Sequence, residues 1–541
     1  MRLLAPFLFG GLTTVAGAAC ISGQSLSVTA STGIFTGLLN PTYPNVREFR
    51  NVPYALPPTD ERRWLPPQKL PTSNKHYDTT QYPLSCPQFV SRVKSVWSEQ
   101  IPEWLIFDGG ESTSAGLYAY GTSEDCLSLA IWTPLNATAA SKLPVIMFMT
   151  GGMSPLRDPF VVLTSPSGGM VTGGVNIPIQ IPAEWVARSQ SHIVVTINYR
   201  VNIMGFPNAA GLTTQNLGLR DQRAALEWLQ ANIASFGGDP TAITLWGQSA
   251  GSRSTDYYNF AYYKDPIARG FFMESGTALS STANADVDGT NFTFVARSLG
   301  CDFPTNKTAE LECMRRVSVS EIENFVGQYQ DNSSTTNTGQ APIAFTPIAD
   351  EDVVFSNYTA RYQAGQVARV PAIISNTANE YASLAPYPLN NLTAGPNPQA
   401  VSAGTLNTVC GISNSSLQRN DLNISTFRYV YGGNFSNINP LWWMGAYHAA
   451  DLAMMFGTYG IRAGEVSQLE IETSAAMQDY VLAFVKDPIN GPQSVNWPAY
   501  DHRNAGGQMI LFGADGKAVQ QVNGTSIEGV CYGQGTYDST P

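Results

Sequence analysis

Short, uninterrupted apolar runs recur along the chain, and between them lie stretches where apolar residues return every three or four positions. Val145-Ile146-Met147-Phe148-Met149 ends in Gly151-Gly152, and Ile193-Val194-Val195-Thr196-Ile197 repeats the pattern. Ala242 to Trp246, Phe271 to Met273 and Val370 to Ser375 follow, with Phe427 to Tyr431 and Met509 to Phe512 as further candidates. Runs this short, with no polar alternation, predict strands buried on both faces. Leu217 to Phe236 is predicted helical from the spacing of Leu219, Ala224, Leu226, Leu229 and Ile233, and Phe236-Gly237-Gly238-Asp239-Pro240 ends it. Ser474 to Val485 reads as a late helix. Strands alternating with helices predict an α/β class, with a large, mainly parallel sheet flanked by helices. The prolines of Phe49 to Pro67 predict an extended surface segment. Residues 280–345 and 385–425 are rich in Ser, Thr, Asn and Gly and read as glycosylated loops or short helical insertions. The Cys86 to Cys126 excursion carries Val93, Trp97, Ile101, Trp104, Leu105, Ile106 and Phe107, many large apolar groups for a surface loop.

Composition narrows the class. A length of 541 residues would ordinarily suggest several domains, but one α/β sheet with long insertions absorbs it, and 20–541 reads as a single domain. Net charge is −11, and no basic cluster or zinc-finger spacing occurs, which argues against nucleic acid as a partner. Arg2, the apolar stretch Leu3 to Val15 and Ala16-Gly17-Ala18-Ala19 predict a secretion signal over 1–19. Asn-x-Ser/Thr occurs at Asn136, Asn291, Asn306, Asn332, Asn357, Asn391, Asn414, Asn423, Asn434 and Asn523, consistent with a glycosylated, secretory-pathway protein. No later segment is apolar over the 18 or so residues a membrane span requires, and the tail ending Tyr537 to Pro541 is too polar for a lipid-anchor signal, so no stable membrane anchor is expected. The cysteines number seven. Cys301 and Cys313 could close a small loop and Cys86 and Cys126 a larger one, leaving Cys20, Cys410 and Cys531, of which at least one is unpaired or paired between chains.

Gly247-Gln248-Ser249-Ala250-Gly251 follows a buried-strand pattern directly. A G-x-S-x-G pentapeptide between strand and helix lets the backbone turn sharply and lifts the serine hydroxyl into the open. Serine needs a base, and of four histidines His76 and His192 lie too early in the chain. His448, among small residues in Gly445-Ala446-Tyr447-His448-Ala449-Ala450-Asp451, and His502 both remain as bases. Glu380, just beyond the Val370 strand, is the candidate acid, and Asp350, Glu351 and Asp352 compete with it. Ala250 and the Gly151-Gly152-Met153 segment would supply backbone amides for an oxyanion.

The chain resembles the type-B carboxylesterase/lipase family, the cholinesterase-like α/β-hydrolases, from about Phe49 to Trp497. Phe236 to Gly251 (FGGDPTAITLWGQSAG) resembles its serine signature, Glu124 to Pro134 (EDCLSLAIWTP) its second signature, and Asn216 to Leu226 the helix block before the nucleophile strand. The resemblance implies the α/β-hydrolase fold with long loop insertions, a triad of Ser249, Glu380 and His448, and an oxyanion hole of Gly152, Met153 and Ala250. It also implies that Ser275 lies close to the acid, that Cys86–Cys126 and Cys301–Cys313 are disulfides, and that the loop between the first pair is a lid. Three departures stand out: Gln248 where many members carry Glu, Thr150-Gly151-Gly152-Met153 in place of a run of small residues, and Ser128 and Ala130 in the second signature. The expected function is secreted carboxylic ester hydrolysis of a small-molecule or lipid substrate through an acyl-enzyme, with no metal or organic cofactor. Acyl transfer to an alcohol shares the first half-reaction, and a non-catalytic binding protein is the remaining alternative.

Overall fold

The computed structural model describes residues 26–106, 117–119, 121–152, 169–280, 283–335, 342–388, 390–504 and 506–541. The expected signal segment, Cys20, Phe107 and Met153 lie outside them. Among the described residues no helix is long and apolar enough to cross a membrane.

The predicted buried runs become the middle of an eleven-stranded sheet. Its strands in chain order are β1 (Leu38–Asn40), β2 (Tyr43–Pro53), β3 (Ser128–Pro134), β4 (Leu143–Met149), β5 (Ile193–Ile197), β6 (Gly238–Gln248), β7 (Gly270–Glu274), β8 (Ala372–Thr377), β9 (Thr426–Tyr431), β10 (Gln508–Ala514) and β11 (Lys517–Asn523). Across the sheet they run β11-β10-β9-β8-β7-β6-β4-β5-β3-β2-β1. From β5 to β10 all neighbours are parallel, whereas β10–β11 and the β5–β3–β2–β1 edge are antiparallel. Every residue of β5, β7, β8 and β9 is buried, which explains their continuous apolar runs. One apolar cluster fills each side of the sheet: Phe148, Trp246, Phe272 and Tyr429 belong to one, Met147, Leu245, Phe271 and Ile374 to the other. Neighbouring residues of one strand point to opposite faces, so both clusters draw on the same short runs.

Two helices set the site's frame. α1 (Leu217–Asn232) continues as a 3₁₀ turn to Phe236 and stops at Gly237, whose φ of 99° is left-handed. α2 (Ala250–Ala261) starts directly after Ser249.

Two expectations are corrected. The Phe49 segment is extended but not superficial: β2 joins the main sheet with Val46, Phe49 and Val52 fully buried, and Trp64 beyond it is buried too. Residues 385–425 contain a long helix, α3 (Pro398–Asp421), not only loops or short insertions. Its start is conventional, with Pro398 in the first turn and the Asn397 side chain accepting from the backbone N–H groups of Gln399 and Ala400. Its buried face includes Gly404, Thr405, Ser413, Ser415 and Ser416, so no apolar stripe marks it. Hydroxyls satisfy themselves on the preceding turn: Thr408 donates to the Gly404 carbonyl, Ser415 to Gly411 and Ser416 to Ile412. The polar 280–345 stretch holds Thr290–Ser298, Lys307–Met314 and Val319–Thr335 as helices.

Disulfides join Cys86 to Cys126 and Cys301 to Cys313, as the resemblance implies. A third, Cys410–Cys531, ties α3 to the C-terminal region across 121 residues and pairs two cysteines left open by the sequence. The sequon asparagines are exposed except Asn291, which is half-buried.

Candidate active site

The serine elbow follows from sterics. Ser249 has φ 57° and ψ −116°, a strained conformation for a residue with a side chain, at the junction of β6 and α2. A Cβ on Gly247 would lie 2.1 Å from the Gly251 carbonyl carbon, and one on Gly251 would lie 2.0 Å from the Met149 carbonyl oxygen. Both glycines are therefore required for the strand and helix to approach this closely. The Ser249 N–H donates to the Glu274 carbonyl at the end of β7, which locks the turn.

The other elements bring their residues to the same end of the sheet. A loop after β8 carries Glu380, fully buried, whose Oε1 accepts from the Thr377 N–H at 2.8 Å. His448 comes from the loop after β9, and a bridge between Asn379 and Tyr447 ties the two loops together. Glu380 Oε2 meets His448 Nδ1 in a direct hydrogen bond. That contact leaves His448 Nε2 as the free lone pair, and the Gln248 amide Nε2 lies 3.3 Å from it. Ser249 and His448 line one pocket with Gly151, Gly152 and Gln248. A Cβ on Gly151 would sit 2.8 Å from the Gln248 carbonyl and 3.1 Å from the Ser249 Cβ, so only a bare backbone fits beside the serine. Gly152 is equally confined, with the Thr172 carbonyl 2.2 Å from its would-be Cβ.

The remaining sequence candidates separate. Burial and nearby cations push His192 down to about 3, and its Nδ1 pairs with the Ser189 hydroxyl, so it is a neutral core group. His76 is exposed on a small edge sheet, and His502 pairs through Nδ1 with Asn420. Asp350 caps the turn at 352–354 by accepting from three backbone N–H groups, and Asp352 pairs with Arg220. Neither shares the pocket with Ser249. Ser275 is buried directly after β7, its N–H on the Ser375 carbonyl and its hydroxyl without a hydrogen-bond partner among the described residues.

The apolar loop closed by Cys86–Cys126 turns inward. Trp97, Trp104, Leu105 and Ile106 line the pocket. The indole N–H of Trp97 donates to the Ser383 carbonyl and that of Trp104 to the Ala449 carbonyl, each at 3.0 Å.

The sequence reading missed one feature. Asp451, three residues past His448 and directly before the short helix Leu452–Phe456, is fully buried against Glu274. The Tyr429 hydroxyl lies within hydrogen-bond distance of both carboxyls, 3.4 Å from Glu274 and 3.2 Å from Asp451, and the Trp246 N–H donates to Glu274 Oε2 at 2.7 Å. Burial raises Glu274 well above the usual carboxylate range, and the neighbouring Asp451 raises it further, so Glu274 keeps its proton. Burial also pushes Asp451 up to about 6, within electrostatic reach of Glu380 and His448. The only sequence signals were the spacing His448-x-x-Asp451 and the Glu274-Ser275-Gly276 motif. A carboxyl whose pKa is raised on folding stabilises the fold fully below its unfolded pKa, near 4. That contribution is lost as pH rises through the folded value, about 6. Asp451→Asn should therefore gain on the wild type by roughly 1–3 kcal/mol between about pH 4 and pH 6.5. Chemical denaturation of both proteins across that range reads the change in their difference, and a pH-independent difference would refute the assignment.

Fold and site together define an esterase of the α/β-hydrolase type. The chain belongs to the carboxylesterase family, whose model matches residues 24–406. It is 37% identical over 528 residues to a chlorogenic acid esterase of Aspergillus niger, covering 94% of each chain. It is 34% identical over 537 residues to secreted lipase 5 of Gibberella zeae, again covering 94% of each. Secreted lipase 1 of Botryotinia fuckeliana is 27% identical over 530 residues, covering 86% of this chain and 85% of its own. The chain is thus a carboxylic ester hydrolase of this family.

Proposed function

We propose that the protein is a secreted serine ester hydrolase acting on a small-molecule or lipid ester through Ser249, His448 and Glu380. The observation that carries this reading is the meeting of a strained elbow serine and a carboxylate-held histidine in one pocket. Ser249 Oγ attacks the ester carbonyl carbon while its proton passes to His448 Nε2. The carbonyl oxygen becomes an oxyanion held by the backbone N–H groups of Gly152 and Ala250, the latter at the positive end of α2. Collapse breaks the bond to the alcohol, which leaves with the proton from His448, and the acyl group stays on Ser249. Water, deprotonated by the same nitrogen, attacks the acyl carbon, releases the acid and returns the proton to Ser249 Oγ. Glu380 holds the proton on Nδ1 and stabilises the imidazolium in both halves. The Gln248 amide occupies the lone pair that must receive the serine proton, so it swings aside when substrate binds.

Secretion and glycosylation of the exposed sequons complete the proposal. At Asn306 and Asn357 the side-chain oxygen caps the following helix, leaving the amide nitrogen, the point of sugar attachment, directed elsewhere. A fluorophosphonate probe should label the secreted protein at Ser249 and fail to label Ser249→Ala. Peptide mapping that places the adduct elsewhere, or full esterase activity in the variant, would overturn the mechanism.

A further inference from the structure

The pocket contains a polar side chain that the reaction does not use. Gln180 ends a 3₁₀ turn, Pro178–Gln180, whose backbone closes through the Gln180 N–H on the Ile177 carbonyl at 2.9 Å. The residue is only 6% exposed and lines the pocket with Ser249 and His448. Its side-chain amide makes no hydrogen bond to any described residue. A primary amide carries two donors and an acceptor with two lone pairs. A substrate that fills the pocket strips water from this amide, and leaving it unpaired at that point is unfavourable; an apolar side chain of the same size would suit a purely apolar substrate better.

The surroundings indicate what the amide meets. Trp97, Trp104, Ile106, Ile177 and Leu452 line the same pocket. Both indole N–H groups are already bonded to backbone carbonyls, so the tryptophans present ring surface and no free donor. Tyr447 packs against both, with ring centroids 6.0 Å away in each case, which fixes their planes. Fixed aromatic walls favour a planar ring, by offset stacking or edge-to-face contact. A phenolic hydroxyl on such a ring can donate to the amide oxygen or accept from its NH₂.

We propose that Gln180 is a specificity residue that hydrogen-bonds a hydroxyl on the ring-bearing part of the substrate. The enzyme then prefers hydroxyaryl esters over unsubstituted aryl or straight-chain esters. The inference rests on the proposed function, because it assigns a substrate class to the pocket of Ser249. A site built around a buried polar group discriminates against an analogue lacking the partner, because the group is then left unpaired.

Either side of the ester bond can carry the ring, so the test has two arms. One compares methyl phenylpropanoate with its para-hydroxy analogue (acyl side), the other phenethyl acetate with its para-hydroxy analogue (alcohol side). In each pair the hydroxyl is remote from the ester and leaves its intrinsic reactivity unchanged. The full-length enzyme should favour the hydroxylated member by roughly tenfold in kcat/KM in one arm. In Gln180→Leu and Gln180→Ala that ratio should collapse to about one. The ratio is measured within one preparation, so a partly folded variant does not distort it. A wild-type ratio near one in both arms, or a ratio that survives both substitutions, would overturn the inference while ester cleavage stands. Absence of cleavage in every arm, together with no labelling of Ser249, would instead remove the underlying function.

Discussion

His448→Ala is expected to lower kcat/KM for any ester the protein cleaves by roughly 10⁴- to 10⁶-fold, while His502→Ala leaves it within about twofold. The two histidines differ in what surrounds them. His448 lines the pocket with Ser249, and Glu380 meets its Nδ1, which leaves Nε2 as the nitrogen available to take a proton. His502 lies in a short turn, with its Nδ1 on the Asn420 side chain near the end of α3. Removing His448 leaves the oxyanion donors and the serine but no acceptor for the serine proton, so the residual rate is that of an unassisted hydroxyl. Steady-state kinetics on one activated and one unactivated ester checks both substitutions. The loss should be larger for the unactivated ester, whose alcohol needs a proton from the histidine to leave. If His502→Ala proved the inactive variant, the base would have been misassigned.

Glu380→Gln is expected to cost about 10³- to 10⁴-fold in kcat while leaving the fold intact. The structural role of Glu380 is met by one oxygen, which accepts from the Thr377 N–H, and a glutamine carbonyl can keep that bond. The loops stay joined through the Asn379 N–H on the Ala446 carbonyl and the Asn379–Tyr447 bridge. What changes is the face toward His448. An amide NH₂ can only donate to Nδ1, which drives the ring proton to Nε2, the nitrogen that must accept from serine. The negative charge that stabilises the imidazolium disappears with it. A melting temperature within a few degrees of wild type, with the predicted fall in kcat, separates this role from a structural one. Activity within tenfold of wild type would pass the orienting role to Asp451, the other buried carboxylate in electrostatic reach of His448.

The strand runs were legible because parallel strands covered on both faces have no solvent side to carry polar residues. The serine elbow was legible because two glycines on either side of Ser249 are demanded by contacts of about 2 Å, a local constraint that appears as a local motif. The choice between His448 and His502, and between Glu380 and its acidic competitors, was not settled by spacing. The residues concerned are separated by loops whose paths depend on sheet order; the resemblance made the choice, and the fold places Glu380 beside His448 Nδ1. α3 escaped notice because hydroxyls bonded to their own preceding turn fill much of its buried face, and periodicity detects only apolar stripes. Cys410 and Cys531 are partners across 121 residues, a separation that carries no pairing information.

By itself the sequence determined the α/β alternation, the elbow serine with its turn, the net negative charge and the apolar load of the Cys86–Cys126 loop. Each of these is written within a few residues by the period of a strand or helix, by glycine sterics or by composition. Tertiary structure alone decided that His448 shares a pocket with Ser249, that the Gln248 amide lies against His448 Nε2, that the Gln180 amide has no partner among the described residues, and that Glu274 and Asp451 share one buried site. These are meetings between residues from different strands and loops. Their energies depend on distance and on the exclusion of water, and both are fixed only when the sheet order brings the loops to one end of the molecule.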